Sequence, residues 1–189
     1  AHATILRLAI MLGLINAMST MTITVLILFS QEILGLTAVG HGILLTAGAA
    51  GGVVGGLVGP RVIGWLGGQR SVIFALMLMP LPFAIISLTS SPVIAGVALF
   101  VEMIAALLWN IVTVSYRQRR IPDELLGRVN SLYRFFGWGM MPFGALAAGW
   151  IVSVAEPDLG RELALRLPYQ LAAIGATAML IYGALKLRL

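Results

Sequence analysis

Cysteine is absent, histidine occurs twice, and charged residues make up only 10% of the 189 positions. Without cysteine there are no disulfides and no thiolate metal sites, and the redox compartment stays open. The two histidines, His2 and His41, lie far apart and leave a metal centre very little to bind through. The scarcity of charge excludes a soluble globular domain, which would carry about a quarter charged residues. No Gly-rich phosphate loop, nucleophile constellation or metal-ligand spacing appears anywhere. No enzyme activity, cofactor or metal is therefore expected.

What the chain has in abundance is apolar length. Hydrophobic residues are 60% of the sequence, and the mean hydropathy is +1.02. Six apolar runs stand out, at residues 4–29, 39–58, 71–89, 92–115, 129–155 and 167–185. Each is near or above the roughly 20 residues that cross about 30 Å of hydrocarbon. Strand-like alternation is lacking, so helices are the economical way to satisfy the backbone in lipid. The expected fold is an all-α integral membrane bundle, a single six-helix transmembrane domain over residues 1–189. The first run has no clear small-residue cleavage site after it, so it reads as a span and not as a signal peptide.

Orientation rests on the segment 116–136, which holds five of the twelve basic residues: Arg117, Arg119, Arg120, Arg128 and Arg134. Such a cluster between long apolar runs marks the cytoplasmic side. Alternating outward from it puts Arg7, Arg61, Arg70, Lys186 and Arg188 on that side too, against only Arg161 and Arg166 opposite. Both termini are then cytoplasmic. The bases sit at the ends of apolar runs and not in one patch, so they read as topology signals, and no nucleic-acid partner is expected.

Within the spans, polar residues are few enough to weigh singly. Asn16, Thr20 and Thr24 form a stripe at spacing four in the first run. The stripe either lines a water-filled cavity or, for the threonines, bonds its own helix carbonyls. We read Asn16 the first way and the threonines mainly the second. The second run carries two glycine ladders, Gly48, Gly52, Gly56 and Gly51, Gly55, Gly59. They read as helix-packing surfaces before ligand sites, since small residues let backbones approach where lipid supplies no hydrophobic drive. Gly59-Pro60-Arg61 should loosen that helix. Pro80 and Pro82 should kink or locally unwind the third run. His41, at a helix start, reads as a solvated or capping residue.

Glu102 is the only acid inside an expected span. An ionised carboxylate there costs several kcal/mol unless paired or hydrated, which makes it a functional candidate. The plainer alternative is a group near enough to the interface to be wetted and inert. We prefer function. Ala106, Trp109 and Thr113 share its helical face, with Asn110 beside it. After the arginines, Pro122-Asp123-Glu124 looks like the start of a short interfacial helix. Asp123 and Glu124 could pair with Arg128 and Arg134. Residues 156–166 read as the longest and most polar outer loop.

The run Pro122-Asp123-Glu124-Leu125-Leu126-Gly127-Arg128-Val129-Asn130-Ser131, followed by Tyr133-Arg134 and Pro142-Phe143-Gly144-Ala145, resembles the major facilitator superfamily. More narrowly it resembles the bacterial drug and siderophore exporter branch, at the loop before the eleventh helix. The rest of the chain fits that superfamily's C-terminal half, helices seven to twelve. The resemblance implies that the first and fourth runs line a central cavity, which points again to Asn16, Glu102 and Asn110, with Thr20 and Trp109 beside them. It also implies a cytoplasmic gate or topology role for Arg117, Arg119, Arg120, Asp123 and Arg128. One departure is plain: Gly64, Gly67 and Arg70 fit the family's loop after the eighth helix, but no acid lies between Gly59 and Ser71. A charge-relay gate has no carboxylate there.

The function this implies is half of a secondary active transporter in the bacterial inner membrane, exporting an amphipathic small molecule with proton coupling through Glu102. One half needs a second six-helix half, a homodimer partner or another membrane subunit. The alternative is a transporter-derived subunit that does not transport, kept as a scaffold or assembly partner in a larger membrane complex.

Overall fold

A computed structural model describes residues 2–187, without the side chains of His2 and Ala3; Arg188, counted above with the cytoplasmic cations, lies outside the described residues. Every regular element among them is a helix. In chain order these are α1 (His2–Glu32), α2 (Ala38–Leu78), α3 (Pro80–Leu88), α4 (Pro92–Arg120), α5 (Asp123–Gly139), α6 (Met141–Leu159) and α7 (Arg161–Lys186). Five stretches are long and apolar enough to cross a membrane: Thr4–Glu32, Ala38–Leu88, Pro92–Arg120, Asp123–Leu159 and Arg161–Lys186. The chain is a multi-pass membrane protein of helical class.

Several boundaries differ from expectation, each for a local reason. The helix does not loosen at Gly59-Pro60-Arg61; it runs through Pro60 and breaks at Gly67, where φ is 75° and ψ 166°. Glycine tolerates that left-handed backbone at no steric cost. The second and third runs are therefore divided at Gly67. The third run is divided again at Met79, ahead of Pro80 and Pro82, whose missing N–H groups cannot bond the preceding turn. Asp123 and Glu124 open no separate interfacial helix but the first turn of α5, which continues to Gly139. The fifth run breaks at Met140, before Pro142. Residues 156–166 are not a loop: α6 and α7 meet at Gly160 alone, at φ 80°.

Length explains why charged segments stay helical. At 1.5 Å per residue the 31 residues of α1 rise about 46 Å, and the 29 of α4 about 44 Å. Both exceed the roughly 30 Å of hydrocarbon, so their polar ends project beyond it.

The tightest pairing joins the first part of α2 to α4. A Cβ on Gly51 would strike the carbonyl of Phe100, one on Gly55 would come within 3.0 Å of the Ile104 Cα, and one on Gly59 within 2.7 Å of the Ile111 Cδ1. Gly48 adds looser contact with Leu99 and Met103, while Gly56 faces open space. Numbers rise together along both helices, so the two run parallel. Gly144 brings α6 equally close to α1, against the carbonyl of Ala17. Between these pairs lies a core of Leu8, Leu26, Phe29, Leu76, Ile86, Trp109 and Tyr169. The Tyr169 hydroxyl donates to the Thr22 carbonyl at 3.1 Å, so the one polar atom of that ring is satisfied.

The end of the bundle opposite the arginine cluster is fastened by two arginines. Arg161 bridges Glu32 of α1 through two contacts of 2.8 Å and Glu156 of α6 at 3.0 Å. Arg166 is 7% exposed and bonds the carbonyls of Ser87 and Thr89, the Ser90 hydroxyl and the Glu162 carboxylate. Nearby, His41 Nδ1 lies 2.8 Å from the Ser30 hydroxyl, so it ties α2 to α1, while Thr37 caps α2.

Candidate functional site

Residues three and four apart on a helix share a face, and α1 uses that spacing to present Asn16, Ser19 and Thr20 together toward α4. There Glu102 and Ala106 stand one turn apart on the opposite wall. With Trp138 and Met141 from α5 and α6, these residues line a cavity of about 600 Å³. Most of the remaining wall is apolar, from Ile15, Ile23, Leu45, Leu99 and Met103. Gly48 forms part of the floor, where a larger side chain would reduce the space.

The Ser19 hydroxyl donates to Glu102 Oε1 at 3.4 Å, a long contact. No cation pairs with Glu102 among the described residues. Thr24 is exposed and donates to its own helix carbonyl at Thr20, which is the plainer role expected of it. Asn16 is held firmly, its amide donating to the Gly137 carbonyl of α5 at 3.0 Å. Gly137 leaves room for that contact, since a Cβ there would lie 3.3 Å from the Asn16 nitrogen.

No family model and no curated protein matches the chain. The site is therefore read from its own geometry.

Asn16 and Trp138 also line a second cavity of about 330 Å³ toward the arginine-rich end, with Asn110, Arg117, Asn130, Tyr133 and Arg134. Asn110 thus joins the site through this neighbour and not through the Glu102 cavity. Trp109 joins neither. It is 2% exposed in the core, and its indole nitrogen is buried without a hydrogen-bond partner. An unsatisfied donor of this kind costs about 1–3 kcal/mol.

The arginine cluster separates by direction. Arg117 turns inward, 8% exposed, with its guanidinium carbon 3.7 Å from the centre of the Tyr133 ring. Arg119 and Arg120 turn outward and line a shallow crevice of about 280 Å³ with Gln69 and Tyr116. Asp123 and Arg128 are exposed on the first turns of α5. Among the described residues, neither Arg128 nor Arg134 forms an ion pair with Asp123 or Glu124. No group of three or more possible metal-ligating side chains occurs among the described residues.

Sequence patterning does not assign Ser19, Asn130, Tyr133, Arg134 or Trp138 to the site. Ser19 was within reach of the sequence, since it falls on the Asn16–Thr20 face. Tyr133 and Trp138 were not, because nothing local in α5 says that its face meets α1 and α4.

Proposed function

We propose that the chain is one half of a secondary active transporter, with six crossings and both termini cytoplasmic, built like the C-terminal half of a major facilitator protein in a bacterial inner membrane. The parallel packing of α2 and α4 supports six crossings. Two parallel neighbours need an intervening return, and residues 68–88, after the Gly67 break, are long enough to make it. Halves of this kind place their site near the midplane and rock against a partner. The partner is a second six-helix half, a second copy or another membrane subunit.

The observation that carries the reading is the placement of Glu102. An intramembrane carboxyl faces a largely apolar cavity with one long contact to Ser19 and no cation beside it. A neutral carboxyl can stand against that wall, while a carboxylate needs water or a substrate cation. Alternation between the two forms would couple proton movement to the occupancy of the cavity. Asn16, Thr20 and Asn110 supply the remaining polar surface along the path, and the apolar wall fits an amphipathic small molecule.

Glu102→Gln keeps the shape and removes the titration. In inverted membrane vesicles given a pH gradient, it should lower gradient-driven uptake of amphipathic fluorescent dyes by about a hundredfold or more, the contribution of a lost acid–base group, with expression intact. Undiminished gradient-driven uptake would remove Glu102 from the mechanism.

A further inference from the structure

The smaller cavity has a chemistry the larger one lacks. Arg117 and Arg134 both line it and no acid does; Glu102 faces only its neighbour. Arg117 is more than nine-tenths buried, and its Nε has no hydrogen-bond partner. The Tyr133 ring attracts the cation through its face. The Tyr133 hydroxyl donates to the Ile5 carbonyl at 3.0 Å, which holds the ring in place. Asn110 and Asn130 add amide donors beside the two cations.

A guanidinium in the cavity wall, a second arginine and amide groups form a set that complements the oxygens of an anion. Arginine presents its donors as a planar fork that matches carboxylate and phosphate oxygens. The two cavities share Asn16 and Trp138 in their linings, so they adjoin. Glu102 and Arg117 stand fifteen positions apart on α4, about 22 Å along the axis.

We propose that the smaller cavity binds the anionic end of an amphipathic molecule through Arg117 and Arg134, with the apolar part lying in the Glu102 cavity. This names the substrate class for the transport reading and rests on it for the word substrate. A carboxylate or phosphate can arrive on a free amphiphile or on a lipid headgroup, and the experiment separates the two.

The full chain in phosphatidylcholine nanodiscs is titrated with dansyl-labelled undecanoate and with its uncharged methyl ester, following energy transfer from tryptophan. The carboxylate should bind about tenfold or more tightly than the ester, a difference of about 1.4 kcal/mol. Arg117→Gln should abolish that preference with little change for the ester, and Arg117→Lys should restore part of it. If Arg117→Gln does not fold, Arg134→Gln carries the test, since Arg134 is exposed; it should cut the preference about threefold, the size of an exposed charge pair. Equal binding of acid and ester, or a preference that no folded arginine variant reduces, overturns the proposal. Adding phosphatidylglycerol to the discs identifies the source: displacement of the probe assigns the site to a lipid phosphate, and undisturbed binding to a free amphiphile. Equal binding of acid and ester alongside Glu102-dependent transport would sink this inference alone. A clear carboxylate preference with transport indifferent to Glu102 would sink the transport reading alone.

Discussion

The glycines of α2 differ in what lies opposite them, so equal substitutions should have unequal effects. A methyl group on Gly51 meets the Phe100 main chain, which cannot move without parting two helices. A methyl group on Gly59 meets only the flexible tip of Ile111, and one on Gly56 meets nothing. Overpacking of a rigid contact costs about 1–3 kcal/mol, while alanine in place of a helical glycine gains up to about 1 kcal/mol. Gly51→Ala should therefore lower the thermal unfolding midpoint in mild detergent, Gly59→Ala should change it little, and Gly56→Ala should leave it unchanged or raise it. Equal midpoints for Gly51→Ala and Gly56→Ala would show that α2 and α4 are not in this register. The spacing of these glycines was visible in the sequence, but which of the two ladders lies closer to α4 was not. Both have period four, and only the partner helix breaks the tie. The same holds for the arginines. Composition groups Arg117 with Arg119 and Arg120, and only the position of Tyr133 separates the buried cation from the two exposed ones.

At the scale of elements, proline and glycine marked interruptions better than polarity marked loops. Met79 and Met140 interrupt helices just before Pro80 and Pro142, where a backbone donor is missing. Residues 156–166 are polar yet almost wholly helical, because helix ends beyond the hydrocarbon can be charged without unwinding. Their charge instead joins three helices through Arg161, Glu32 and Glu156. The partners are more than a third exposed, at 38%, 37% and 43% of their side-chain surface, so solvent screening limits what the cluster contributes. Glu32→Gln should cost less than about 1 kcal/mol even though it loses a two-pronged contact. Its effect on the unfolding midpoint should shrink further in about 1 M salt, where the Debye length is near 3 Å. A large, salt-independent loss would mean that the cluster is buried against a partner. Arg166 is the contrasting case, nearly fully buried and bonded to the Ser87 and Thr89 carbonyls, so its removal strands at least the buried Ser87 acceptor.

For the molecule as a whole, membrane class was legible from composition because so little charge goes with 60% hydrophobic residues in runs long enough to cross a bilayer. The meeting of α1 with α4 at Asn16, Ser19 and Glu102 was not, since hydropathy carries no information about which helices adjoin. Topology is the point on which the transport reading turns, and the absence of cysteine makes it directly measurable. Each introduced thiol is then the sole reactive group in the chain. Arg119 lies in the last turn of α4 and Arg161 opens α7. Between them lie residues 123–159, a helical stretch interrupted at Met140 and apolar enough to cross. With six crossings, Arg119→Cys and Arg161→Cys face opposite sides. A membrane-impermeant maleimide added to intact cells should label Arg161→Cys and spare Arg119→Cys until the membrane is opened. Both positions are surface groups, and Arg119→Cys removes no ion pair, so neither change should prevent folding. Labelling of both from one side would leave residues 123–159 as a re-entrant or surface segment. The cavity between α1 and α4 would then lose its place on a path across the membrane.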